Sequence, residues 1–180
     1  MRLFAVIALL FLAACQPDGA GAPSSETPSP VVLTVFSASA ADPAPQTGLF
    51  ERYAMSGPAE GFTLEDLAAL EQFEIDVAYP AGAPVQVWRG PRLSGVLGVA
   101  GAPGAGATVT ALDGYSVELS AALIAEHEPI LAISADGSGI PVGGFGPVTL
   151  IWPETYPGPD SEDGSANWVW SVFAVEALEG

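Results

Sequence analysis

Asp113-Gly114 separates two β-prone runs, Thr108–Leu112 and Tyr115–Leu119, and that spacing leaves the chain little choice but a hairpin. Asp-Gly suits a type I′ turn, because Gly takes positive φ freely and Asp tolerates it better than most residues. Thr108, Thr110 and Leu112 are expected on one face of the first strand, with Val109 and Ala111 on the other. In the second strand Val117 and Leu119 alternate with Ser116 and Glu118. Further on, the apolar run Ile130–Ala135 breaks at Asp136-Gly137, and Val148–Trp152 stops at Pro153. Short strands joined by tight turns are therefore expected across Ala107–Pro153.

The N-terminus has a different character. Arg2 precedes an unbroken apolar run, Leu3–Leu12, and small residues follow at Ala13-Ala14. Residues 1–14 read as an export signal. The run is too short to cross a bilayer core, which takes roughly 20 helical residues. Leu12-Ala13-Ala14-Cys15 resembles a bacterial lipobox, whose Cys is lipidated on sulfur and becomes the acylated N-terminus. The alternative is an ordinary cleaved signal that happens to contain a Cys. Acyl chains contribute about 0.8 kcal/mol per buried methylene, so several would anchor the chain firmly in a membrane. Gln16 rather than Asp after the Cys favours the outer membrane, by resemblance to enterobacterial sorting, on the periplasmic side of the envelope. Residues 15–30 then form the lipidated Cys and a linker rich in Pro, Gly and Ser, and residues 31–180 a single domain.

Cys15 is the only cysteine. Once it carries lipid, the domain has no thiol for a disulfide, a thiolate metal site or a nucleophile. The chain has no Lys, and beyond the signal only Arg52, Arg89 and Arg92 stand against 21 acidic residues, within a formal net charge of −17 for the whole chain. Nucleic acid is disfavoured as a partner, and an anionic substrate is collected only at a cost.

Within the domain, Val31–Ser37 is expected as a strand, followed by a Pro- and Ala-rich loop to about Gln46 and an irregular segment, Thr47–Gly61. Phe62–Leu70 carries a helix start: Thr63 as cap, Asp66 for the reciprocal bond, and Phe62 with Leu67 as a hydrophobic staple. Phe73, Ile75, Val77 and Tyr79 then alternate with polar or small residues, the pattern of a half-buried strand. Val85–Trp88 is a short strand, and Leu93, Val96, Leu97 and Ala100 mark a helix that Gly101 ends. Ser120 caps another helix through about Glu126, Gly143–Gly146 is a backbone-only loop, and Trp168–Val175 is a closing buried strand.

Chemistry-bearing patterns are sparse. The Gly-rich run Gly98–Gly106 lacks the Lys and the preceding strand of a phosphate cradle, and reads as a helix stop and loop. Glu126-His127-Glu128 reads as a solvated helix end, since adjacent helical residues point apart. Asp160–Gly164 lacks the spacing of a calcium loop and reads as a hydrated acidic segment. Ser134, Ser138 and Ser165 have no nucleophile context. Trp88, Trp152, Trp168 and Trp170 are expected in the core. No residue is assigned a catalytic or metal-binding role.

Six blocks together are similar to short forms of the molybdopterin-binding domain shared by sulfite oxidases and related molybdenum oxidoreductases. They are Phe62–Leu67, Trp88–Leu93 with Val96-Leu97, Ala111–Tyr115, Ile130–Ala132 with Asp136-Gly137, Gly146–Pro153, and Trp168–Trp170. The resemblance implies a strand-rich, mixed α+β fold of the sulfite-oxidase type. It also implies that Arg89, Gly90 and Arg92 border the side of the domain where a pterin phosphate would lie. In the family a Cys near the end of the strand before the aromatic-Gly step ligates molybdenum, but here that strand, Ile75–Tyr79, has none. Two functions follow as expectations. One is a binding or accessory module that has lost its metal ligand and recognises a small molecule or an envelope protein. The other is a molybdopterin-dependent oxidoreductase that holds its cofactor without a protein thiolate. For Arg89 and Arg92 the competing expectation is pairing with nearby carboxylates, Glu74 and Asp76.

Overall fold

Turn chemistry divides the chain into short strands in the computed structural model, which describes residues 29–44, 47–162 and 164–178. The expected signal peptide, Cys15 and the linker as far as residue 28 lie outside the described residues. In chain order the elements are β1 (Val31–Phe36), β2 (Asp42–Pro43), α1 (Leu49–Arg52), β3 (Pro58–Thr63), α2 (Leu64–Ala69), β4 (Phe73–Ala78), β5 (Val85–Gly90) and α3 (Leu93–Val99). There follow β6 (Gly106–Ala111), β7 (Ser116–Leu119), α4 (Ala121–His127), β8 (Ile130–Ala132), β9 (Ser134–Ala135), β10 (Ser138–Gly139) and β11 (Thr149–Ile151). A 3₁₀ turn at Ser165–Asn167 and β12 (Val172–Leu178) close the domain. No helix among the described residues is long and apolar enough to cross a membrane.

The result is a strand-rich, mixed α+β single domain. Six strands form one sheet in the order β2-β3-β1-β12-β6-β7, four form a second, β10-β9-β5-β4, and β11 pairs with β8. The two ends of the domain meet at the centre of the large sheet, where β1 runs parallel to β12 with Thr34 opposite Ala174. Alternation along β1, and an irregular register between Val172 and Ala174 in β12, serve two cores. Leu33, Val35, Val172 and Val175 enter the main cluster with Leu93, Leu131, Leu150 and Trp152, while Phe36, Phe173 and Ala174 join Met55 and Ala59 in a smaller one. Leu49 and Phe50 of α1 pack on that smaller cluster. Thr47–Gly61, expected to be irregular, therefore holds a helical turn and most of a strand: it supplies a lid and an edge for the second core.

The helix starts follow the sequence. Thr63 accepts from the Asp66 N–H while Asp66 accepts from the Thr63 N–H at 2.8 Å, a complete capping box. A cap of this kind contributes about 1 kcal/mol. The bond from the Thr63 hydroxyl also holds the Asp66 carboxyl below its ordinary pKa. Ser120 caps α4 by accepting from the Leu123 N–H at 3.2 Å. Leu93, Val96, Leu97 and Ala100 of the α3 stripe are all buried, and Gly101 at φ +81° ends the helix.

The central hairpin forms with a different turn from the one expected. The Gly114 N–H reaches the Ala111 carbonyl at 2.9 Å, and Ala111 pairs with Tyr115, so the loop has three residues, not two. Gly114 alone takes positive φ (+89°), and the Asp113 carboxylate accepts from the Tyr115 N–H at 2.9 Å. This is a type I turn followed by a left-handed Gly. The type I′ geometry occurs instead at Asp136-Gly137, where φ is +48° and +74° between β9 and β10. The expected two-faced alternation of the hairpin's first strand is also blurred: Ala107, Val109, Thr110 and Ala111 are all buried, because β6 lies between β12 and β7. The closing strand starts later than expected, at Val172. Ser171 at φ +49° interrupts the extended chain, leaving Trp168–Ser171 as an irregular approach.

Candidate functional site

The end of β4 is the position to which the resemblance assigns a metal-binding thiolate. Tyr79, the residue just past it, is buried and stacks on Trp168 with centroids 5.0 Å apart and planes 26° apart. Trp88 meets Tyr79 edge-on at 6.0 Å, and Phe145 lies 5.7 Å from it. Trp88 Nε1–H donates to the Val77 carbonyl at 3.3 Å and Trp168 Nε1–H to Pro157 at 3.1 Å, so both indoles are fixed. The Tyr79 hydroxyl reaches the Trp168 carbonyl only at 3.5 Å. Burial pushes its pKa well above the ordinary tyrosine value, and Tyr115 adds to the shift. This cluster offers neither thiolate nor imidazole, and a neutral phenol held off ionisation is a poor metal donor. The donor set therefore does not fit a molybdenum centre of the thiolate-ligated kind.

The three residues expected at a pterin phosphate are neighbours in sequence but face different ways. Arg89 and Gly90 end β5 on opposite faces, Arg89 exposed and Gly90 buried. A Cβ on Gly90 would stand 2.0 Å from the Leu131 carbonyl oxygen, so the glycine is required by the approach of β8. Arg92 precedes α3, and its Nη1 donates to Glu128 Oε1 at 2.5 Å. Its guanidinium also lies over the Phe73 ring, 4.0 Å from the centroid. The expected carboxylate partners Glu74 and Asp76 are not used. Glu74 stands opposite Arg89 in the strand register, yet Arg92–Glu128 is the one salt bridge among the described residues. Glu128 reaches Arg92 because it ends α4 in the left-handed conformation (φ +48°). A shallow pocket of about 260 Å³ beside Phe73 and Pro91 includes Arg92 but neither Arg89 nor Gly90.

His127 corrects a second expectation. Its ring packs edge-on against Tyr156 at 5.1 Å and Trp152 at 6.3 Å rather than in solvent. Its Nδ1 is the one buried side-chain nitrogen or oxygen without a hydrogen-bond partner among the described residues. Trp152 and Tyr156 stack at 4.1 Å, and Trp152 Nε1–H donates to Asn167 at 2.8 Å. No group of three His, Cys, Asp or Glu side chains gathers among the described residues.

Among the other concavities of the described residues, one of about 350 Å³ lies between Ser37–Ser39 and Gly101–Ala105, and two more are lined in part by aromatic rings. The larger, about 760 Å³, lies along β1 and β3 beside Leu49, Phe50 and Phe173, and its charged lining is Asp42 and Glu60. The smaller, about 260 Å³, is lined by Ala111, Asp113, Tyr115, Ser165, Trp168 and Trp170. Trp170, expected in the core, is 45% exposed, in the irregular approach that ends at Ser171. Tyr115 and Trp170 were not legible as a pair, because 55 positions and the whole second half of the domain separate them.

Compared with known proteins, the chain matches no family model and no curated protein.

Proposed function

We propose that this protein is a lipid-anchored module of the cell envelope, built on a sulfite-oxidase-type domain that has given up its metal ligand. It acts by binding, as an accessory to another envelope component, and not by molybdenum redox chemistry. The single observation that carries this is the aromatic cluster of Tyr79, Trp88, Phe145 and Trp168 at the end of β4. A site that turned over an oxyanion there would need a thiolate and converging bases. It has a stacked Tyr–Trp pair, and Arg92 at the start of α3 is already engaged by Glu128. The order of the six sequence blocks supports the fold type, and Leu12-Ala13-Ala14-Cys15 supports the lipid anchor on the periplasmic side, with Gln16 favouring the outer membrane.

Native mass spectrometry of the protein taken from the membranes of the cells that export it tests this reading. The expected species starts at Cys15, carries acyl chains and holds no pterin. A stoichiometric pterin adduct would instead establish the oxidoreductase alternative.

A further inference from the structure

We infer that the pocket between the central hairpin and the Trp168–Trp170 segment is a cage for a small organic cation, an alkylated or quaternary ammonium group. The inference stands independently of the domain's proposed origin. Three aromatic rings line this pocket, those of Tyr115, Trp168 and Trp170, together with one carboxylate, Asp113. Ala111 and Ser165 complete the lining, and no base is among these residues. Aromatic faces attract a cation through their quadrupole, most strongly Trp, and a desolvating pocket strengthens the attraction. A nearby carboxylate adds charge attraction, and the net charge of −17 raises the local concentration of cations. An anion meets the reverse of each term.

The rings are held in place by hydrogen bonds and ring contacts, one face of Trp168 being covered by Tyr79. The Tyr115 hydroxyl donates to the Ala166 carbonyl at 2.7 Å, and Trp168 Nε1–H donates to Pro157. Trp170 is braced edge-on by Phe145 at 5.6 Å. Asp113 Oδ1 holds the turn through the Tyr115 N–H, which leaves the second carboxylate oxygen for a ligand. Tyr115 and Trp170 are 46% and 45% exposed, large rings kept at the surface of a domain that buries most of its others. At about 260 Å³ the pocket suits a headgroup rather than a drug-sized ligand.

The test titrates the full chain with tetramethylammonium chloride and with choline, following tryptophan fluorescence, against sodium chloride at matched ionic strength. The neutral isostere 3,3-dimethylbutan-1-ol and glucose serve as uncharged probes. The cage predicts saturable quenching by both cations and affinity for the neutral isostere weaker by about tenfold or more. Trp170→Ala and Asp113→Asn should each weaken cation binding by about tenfold. Asp113→Asn keeps an acceptor for the turn, so it reports on charge even if Trp170→Ala folds poorly. No saturable response to either cation overturns the inference. So does equal affinity for the neutral isostere, or binding of glucose with no effect of Asp113→Asn.

Discussion

Tyr79 lies face to face with Trp168, their ring centroids 5.0 Å apart and their planes 26° apart, at the point where β4 leaves its sheet. The pair joins two segments far apart in sequence and occupies the position to which the family resemblance would assign a metal ligand. Its hydroxyl is nearly idle as a hydrogen-bond donor, so the ring, not the phenol, holds the cluster together.

Tyr79→Phe should therefore change stability little near neutrality, by less than about 1 kcal/mol. At alkaline pH the two proteins should diverge. Burial raises the Tyr79 pKa in the folded state, so its stabilising contribution is whole below the unfolded value of about 10. Above that value it is lost progressively as pH rises towards the higher folded pKa. Denaturant midpoints measured across this range should fall more steeply for the wild type than for Tyr79→Phe. Parallel curves would mean that Tyr79 is not shielded as described.

Gly114 and Gly137 provide a paired comparison. Both take positive φ, but a Cβ on Gly114 would stand 2.7 Å from the Tyr53 ring, while one on Gly137 meets nothing within 4 Å. Gly137→Ala should cost about 1 kcal/mol from backbone strain alone. Gly114→Val should cost more, since Tyr53 also donates to the Leu112 carbonyl at 3.1 Å and cannot move without losing that bond. Equal losses in chemical denaturation would remove the Tyr53 contact from the account.

Arg92 combines a salt bridge, with side chains 35% and 46% exposed, and a stack on Phe73. Glu128→Gln should cost no more than about 1 kcal/mol, and less at high salt. Arg92→Ala should cost about 1–2 kcal/mol, because it removes the stacking as well. If the two variants lose the same amount, the Phe73 contact contributes nothing.

Cys15→Ala should leave the protein without lipid, either released from the membrane or retained as an uncleaved precursor. Detergent phase partition with N-terminal mass analysis distinguishes these forms from the anchored wild type. A wild type found in the aqueous phase and starting at another residue would contradict the lipobox reading.

The local signals in the sequence translated well where the chemistry was short-range. The Thr63–Asp66 capping box, the Ser120 cap and the α3 stripe of Leu93, Val96, Leu97 and Ala100 all appear where periodicity and cap chemistry put them. The same dipeptide misled once: Asp-Gly makes a type I′ turn at Asp136-Gly137 but not at Asp113-Gly114. In the central hairpin the register that buries Val109, Val117 and Leu119 leaves three residues to turn in, so strand pairing overrode the dipeptide's preference. Thr47–Gly61 was opaque because its apolar residues, Leu49, Phe50, Met55 and Ala59, follow no single period and serve a second core invisible from the sequence. The partner of Arg92 was missed for a similar reason. Proximity in sequence pointed to Glu74 and Asp76, while the left-handed end of α4 delivers Glu128 from 36 positions away. The aromatic cluster at Tyr79 needs Phe145 and Trp168 from the far end of the chain, and only the tertiary fold brings them together.

The molybdenum content of the protein, purified from the cells that export it and grown with ample molybdate, tests the central claim most directly. If Tyr79, Trp88, Phe145 and Trp168 stand where the resemblance would put a thiolate, elemental analysis should find far less than one molybdenum per chain. A ratio near one, surviving gel filtration at high salt, would contradict the account and make the domain a cofactor-bearing enzyme.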